Sequence, residues 1–139
     1  MNIDAIQNGI VIDHITAGRG MRIYELLNLG DLDASVAIIK NAVSHRTGGK
    51  KDIIKIDSDI AINFDVLGFV DPGVTVNIIR NGERVDKRRI DMPETLKNVI
   101  RCKNPRCITS VERSIDHLFR LTDRKNKVYR CVYCETKAQ

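Results

Sequence analysis

Apolar and polar positions change period several times over the first ninety residues, and each change marks an element. Ile10–Ile15 (IVIDHI) reads as a strand. Alternation sends Asp13 and His14 to opposite faces of it. Residues 19–30 (RGMRIYELLNLG) place Met21, Ile23, Tyr24, Leu26 and Leu27 on one side of a helix, with Gly30 at the C′ position. Residues 35–44 (SVAIIKNAVS) are β-branched and alternating, as strands are. Residues 45–51 form a loop, and 52–57 (DIIKID) alternate again. A short helix is expected within 59–69, ended before the turn Asp71-Pro72-Gly73. Residues 74–80 and 83–90, joined by Asn81-Gly82, form a hairpin, because Asn-Gly supplies the positive φ angles of a type I′ turn.

Strand, helix, two strands, helix and hairpin is an α+β order. It predicts a ferredoxin-like antiparallel sheet with two helices on one face. Met92-Pro93 marks a boundary, giving domains 1–91 and 92–139. After it, residues 93–101 read as a short helical linker. Residues 108–129 are polar and strand-like in pieces (TSVERS, HLFRLT, KVYRC), which predicts a small all-β unit.

Charge sharpens that division. Residues 1–91 carry 12 basic and 13 acidic side chains, whereas residues 92–139 carry 11 basic and 5 acidic. The surplus of the second part suits an acidic protein surface or a nucleic acid. Aromatic residues are scarce, with three Phe, three Tyr and no Trp, so the core rests on Ile, Val and Leu. No apolar run approaches the roughly 20 residues of a membrane span. The start MNIDAIQNG has no basic region of the signal-peptide type. A cytosolic protein with reduced thiols is the expectation.

All four cysteines lie in the second part. Cys102 and Cys107 enclose four residues, Cys131 and Cys134 enclose two, and 23 residues separate the pairs. Two such knuckles converge on one ion, and a tetrahedral Cys₄ set is typical of structural zinc. The second unit therefore reads as a rubredoxin-like zinc ribbon. Iron in the same cage and four unliganded thiols are the competing readings. A closed Cys₄ site has no open position for substrate, so it folds the chain rather than running a reaction. His117, between the pairs, reads as a packing residue.

The motifs of common enzyme classes are absent: Gly-x-Ser-x-Gly, His-Glu-x-x-His and the P-loop. Gly18-Arg19-Gly20 reads as a plain turn more than a phosphate loop. No catalytic residue is expected. Lys51 and Lys55, four apart on one strand, share a face, and Lys87, Arg88 and Arg89 end the hairpin. Such lysines can converge on a triphosphate.

In combination and order, Asp4-Ala5-Ile6 with Gly9 and VIDHI (11–15), GKKDIIKI (49–56), the T-V-N-x-I-x-N of 75–81 and the four-cysteine ending resemble the regulatory chains of aspartate carbamoyltransferase, over nearly the whole length. The resemblance implies a non-catalytic subunit of a pyrimidine-biosynthesis enzyme. Its N-terminal domain would bind the effectors CTP and ATP. Its zinc domain would dock on a separate catalytic chain, and two regulatory chains would pair as a homodimer. Carried over by position, Ala5 and Ile6 line the base, Asp13 and His14 belong to the base and phosphate region, and Lys55 lies near ribose and phosphates. Lys51 is a more peripheral basic neighbour, Asn77 and Ile79 flank ribose and base, and Lys87 binds phosphate. Cys102, Cys107, Cys131 and Cys134 become the zinc ligands. Gly82 and Arg84 stand where the family's well-known members carry an aromatic and an aliphatic residue. One tension follows. An ideal two-residue hairpin pairs Asn77 with Asp86, which turns Asn77 and Lys87 to opposite faces; a β-bulge or lost pairing must intervene if both meet one nucleotide. The rival reading is a basic zinc-ribbon protein that binds nucleic acid.

Overall fold

A computed structural model describes residues 6–46 and 48–138 of the 139. The chain forms two compact units, Met1–Asp91 and Met92–Gln139.

The first unit runs β1 (Gly9–Thr16), α1 (Gly20–Leu26), a 3-10 turn (Leu29–Asp31), β2 (Ser35–Val43), β3 (Lys50–Asp57), α2 (Phe64–Val70), β4 (Thr75–Arg80) and β5 (Glu83–Arg89). The strands make one antiparallel sheet in the order β2-β3-β1-β4-β5. Ile10, Ile12 and Ile15 of β1, Ile54 and Ile56 of β3 and Val76 of β4 are buried on one face, where α1 adds Ile23 and α2 adds Val66, Leu67 and Val70. Burying one such side chain contributes about 1.5–3 kcal/mol, so this isoleucine layer sets the register. The other face carries no helix among the described residues.

Local chemistry fixes the helix ends. Asn63 caps α2, its side chain accepting from Asp65 N at 3.1 Å. Asp71 ends α2, and its carboxylate accepts from Thr16 N at 2.6 Å and Gly73 N at 3.3 Å. Helix α1 stops earlier than its pattern suggests. Asn28, with φ 54, is the left-handed residue after the helix, and Gly30 belongs to the 3-10 turn that follows. Asp52 is fully buried and accepts from Gly18 N and Gly20 N, both at 3.0 Å, and from Asn41 N at 3.1 Å.

Three pairings slip by one residue: β1 against β3 between Ile12 and Ile15, β2 against β3 between Ile39 and Ala42, and β4 against β5 between Ile78 and Ile79. Each is a bulge, which moves the residues beyond it to the other face.

The second unit holds β6 (Thr95–Lys97), α3 (Ile108–Val111), β7 (Leu118–Asp123) and β8 (Val128–Cys131), with sheet order β6-β7-β8. Two sequence readings are corrected here. The segment 93–101 is not helical; Thr95–Lys97 pairs with β7, and buried Leu96 sits opposite buried Phe119. The segment TSVERS is not a strand; Thr109–Val111 belong to the single turn of α3 that starts beside Cys107. Leu96, Val99, Phe119 and Tyr129 form the small core, and the Tyr129 hydroxyl donates to the Pro93 carbonyl. Among the described residues no helix is long and apolar enough to cross a membrane.

Candidate functional site

The uncovered face of the first sheet gathers the candidate ligand-binding residues. Register places Ala37, Lys55, Val11, Asn77 and Lys87 in one row across all five strands. Directly paired residues share a face, so Lys55, Asn77 and Lys87 look out together. The hairpin tension is resolved by the bulge at Val85: beyond it Lys87, not Asp86, stands opposite Asn77. The neighbouring row carries Asp13, Thr75 and Arg89, and the row on the other side carries Gly9, Ile79 and Arg84.

Asp13 and His14 do not lie on opposite faces. Ile12 and Ile15, three apart, both point into the core, and the bulge between them turns Asp13 and His14 outward together. His14 takes the left-handed conformation, φ 59, that makes this possible. One local and one tertiary contact hold it there. Its backbone N donates to Asp13 Oδ1 at 2.6 Å, and its Nδ1 lies 2.9 Å from Thr75 Oγ1. Lys51 Nζ reaches Asp13 Oδ1 at 3.0 Å.

Burial works to raise the Asp13 carboxyl, but the bonds from Lys51 and the His14 N–H outweigh it, and the group sits below its usual 3.8. Burial lowers His14 from its usual 6.5; Asp13 opposes this, while Lys51, Arg46 and Lys87 add to it. His14 is therefore neutral at pH 7. Asn77 Oδ1 is buried and has no hydrogen-bond partner among the described residues. A buried acceptor in that state costs about 1–3 kcal/mol, and its neighbours across the sheet are Val11 and Lys87.

Ile6 stands against Gly9, its Cγ2 2.8 Å from where a Gly9 Cβ would be. Ala5 lies outside the described residues. The Gly18 and Gly20 N–H groups are spent on Asp52, so that turn binds no phosphate through them. Sequence reasoning passed over Thr75, the partner of His14; no local pattern marks a residue that matters through its neighbour across the sheet.

The second constellation is the cysteine cage. The sulfurs of Cys102, Cys107, Cys131 and Cys134 all lie within 4.8 Å of one another. Cys102 and Cys134 are 3.5 Å apart, and Cys107 and Cys131 are 3.7 Å apart. Those spacings are far beyond the roughly 2.05 Å of a disulfide. They match the edge of about 3.8 Å that a tetrahedron with 2.3 Å metal–sulfur bonds requires. Thr109 Oγ1 donates to Cys107 Sγ at 3.1 Å, and Thr136 Oγ1 lies 3.2 Å from Cys134 Sγ. Backbone N–H groups of Asn104, Tyr133, Cys134 and Thr136 also face cysteine sulfurs. Burial pushes the Cys102 thiol up to about 12, whereas the bonds of Thr136 draw Cys134 down to about 6. A divalent cation offsets the cost of holding such thiolates together, and the donor set fits a structural metal ion. His117 is not in the cluster: its Nδ1 accepts from Cys102 N at 3.2 Å and so steadies the first knuckle.

Comparison with known proteins gives a concordant result for both units. Residues 1–91 match the family model described as aspartate carbamoyltransferase regulatory chain, allosteric domain, and residues 94–139 match its metal binding domain. Among curated relatives, the aspartate carbamoyltransferase regulatory chain of Clostridium botulinum is 50% identical over 135 residues, covering 97% of this chain and 92% of the relative. That of Clostridium tetani is 48% identical over 136 residues, covering 97% and 94%. That of Bifidobacterium longum is 43% identical over 139 residues, covering 100% and 99%.

Proposed function

The chain belongs to the aspartate carbamoyltransferase regulatory chain family, with an allosteric and a metal-binding domain, and from that premise we propose that it is a non-catalytic subunit whose uncovered sheet face binds the effectors CTP and ATP. The observation that carries this reading is the central row. Asn77 Oδ1, a buried acceptor with no partner among the described residues, has Lys87 directly beside it on β5 and Lys55 in the same row beyond Val11. The acceptor calls for a hydroxyl donor and the lysines for an anion, and a ribose triphosphate offers both on one molecule.

In this reading Asn77 receives a ribose hydroxyl, and Lys55 and Lys87 receive phosphates. Lys51 acts indirectly by holding Asp13. His14, neutral and locked against Thr75, offers a donor to phosphate on protonation. Ile6 and Ile79 flank the base, and the family resemblance adds Ala5 to the segment that lines it. CTP and ATP share the triphosphate, so the lysines supply affinity without discrimination, and selectivity belongs to the base end.

The zinc reading of the Cys₄ cage rests on the tetrahedral sulfur spacing. Cys102, Cys107, Cys131 and Cys134 would hold one ion, which supplies folding energy rather than reactivity. The basic second unit would dock on an acidic patch of the catalytic chain. Pairing of two regulatory chains is supported by the two sheet edges. The β5 edge is guarded by Glu83, Arg84, Asp86, Lys87, Arg88 and Arg89, whereas β2 carries one charge, Lys40, among Val36, Ala37, Ile38 and Ile39.

Regulation follows only if the two quaternary states bind a nucleotide unequally. The test is co-purification with an aspartate carbamoyltransferase catalytic chain, then assay with and without CTP and ATP. An assembled complex whose activity ignores both nucleotides overturns the effector reading. Assembly that survives chelation overturns the docking role. Binding to arbitrary RNA that weakens steeply with salt would favour the nucleic-acid alternative.

A further inference from the structure

The N-terminal segment is fastened to the tip of the β4–β5 hairpin. Gly82 N donates to the Gln7 carbonyl at 2.9 Å, and Asn81 N donates to Asn8 Oδ1 at 3.3 Å. The tip is a left-handed pair, Asn81 with φ 53 and Gly82 with φ 77, as a type I′ turn requires. The Gln7 side chain packs over Gly82. A Cβ built at residue 82 would meet Gln7 Oε1 at 3.2 Å, Nε2 at 3.5 Å and Cδ at 3.6 Å. The carboxamide of Gln7 thus stands where the side chain of residue 82 would otherwise be.

Its place along the face gives that contact a meaning. The rows run from Asp13, Thr75 and Arg89, through Lys55, Asn77 and Lys87, to Gly9 and Ile79. Rows are about 7 Å apart, two residues along a strand. Gln7 over Gly82 stands at the hairpin tip, beyond the row of Gly9 and Ile79. A ligand with phosphates on the lysines and a ribose at Asn77 lays its base over Gly9 and Ile79 and turns the base's outer edge toward Gln7. This placement rests on the effector-binding reading above.

We propose that Gln7 is the specificity-determining residue of this site, reading the outer edge of the effector's base. A carboxamide carries an acceptor oxygen and a two-hydrogen donor, and turning the amide over offers either one. It therefore serves the amino group of cytosine or adenine and the oxo group of uracil or guanine alike. The site accordingly takes oxo-substituted nucleotides as well as amino-substituted ones.

Titration calorimetry of the full zinc-loaded chain with CTP, ATP, UTP, GTP and inorganic tripolyphosphate tests this. The wild-type chain should bind the four nucleotides within about tenfold of one another, the worth of one hydrogen bond. Gln7→Glu leaves only an acceptor. It should bind CTP and ATP at least about tenfold better than UTP and GTP, on top of any uniform loss from the added charge. Gln7→Leu keeps the cover over Gly82. It should weaken all four nucleotides about five- to tenfold while tripolyphosphate binds as in wild type. A wild-type chain that rejects UTP and GTP, a Gln7→Glu chain with unchanged nucleotide ratios, or a Gln7→Leu chain equal to wild type overturns the proposal. Wild-type protein that binds none of the four nucleotides overturns the effector-binding reading itself, and this inference with it.

Discussion

The two units stand up by different means. The first buries a continuous layer of Ile10, Ile12, Ile15, Ile23, Ile54, Ile56, Leu67 and Val76. The second buries Leu96, Val99, Phe119 and Tyr129 and little other bulk, and four cysteine sulfurs converge beside them. An apolar layer that complete holds a sheet with its other face uncovered. A core of four apolar side chains needs a metal, and a metal spent on folding is closed to chemistry. The contrast separates a unit held by apolar burial from one held at a metal site.

Removing the metal should give the largest effect. Structural zinc contributes roughly 10–16 kcal/mol at neutral pH, more than the stability of most domains. Chelation, or Cys107→Ser, should abolish hydrogen-exchange protection over Leu118–Asp123 and Val128–Cys131 while Gly9–Thr16 and Lys50–Asp57 remain protected. Equal loss in both units would erase the contrast. The converse comes next. Ile54→Ala should destabilise the first unit by about 2–5 kcal/mol, leaving the thiolate absorption of a cobalt-substituted cage unchanged. A spectral change there would mean that the cage depends on the sheet's core.

Binding should discriminate more finely. Lys87→Ala should weaken CTP and ATP by similar factors, about tenfold or more for a lost charged contact. Calorimetric titration checks it, and a strong loss of one nucleotide alone would move Lys87 to the base end. The smallest effect concerns pH. Asp13 has its folded pKa below 3.8, so its contribution is complete above the ordinary value and is lost as pH falls through the lower folded value. Lys51→Met should remove it, lowering the neutral-pH stability of the first unit by about 1 kcal/mol, the scale of a partly exposed ion pair, with no matching loss once the pH falls below the lowered folded value and the carboxyl is protonated. His14 also has a lowered folded pKa, so its contribution is complete above about 6.5 and fades on acidification. A phosphate beside it reverses the preference. Triphosphate binding should therefore tighten, with proton uptake, as pH falls below neutrality.

The sheet, the hairpin and the metal cage were legible because they rest on local signals: alternation, Asn81-Gly82 and cysteine spacing. The bulges were not legible in the same way. Simple alternation splits Asp13 from His14, because nothing in VIDHI says that His14 adopts a left-handed angle. That choice is settled by Thr75, Asp13 and the core positions of Ile12 and Ile15. The bulge at Val85 was foreseen as a need, not read as a pattern, since it followed only from asking Asn77 and Lys87 to share a face. In the second unit, three residues such as Thr95–Lys97 are too few for a period, and partner strand β7 decides their conformation.

Val85 carries a consequence of its own. It is exposed, and no partner on β4 stands directly across from it. Almost any side chain would do there, because the strand steps round it: a chain shortened by that one residue would still set Asp86 opposite Ile78 and Lys87 opposite Asn77, in an unbroken ladder. A chain that kept Val85 but paired it in the ladder would turn Lys87 and Arg89 to the other face, with every recognisable letter of the site in place and the site blind. The information at this position is arithmetic rather than chemical, and tables of tolerated amino acids would pass over it.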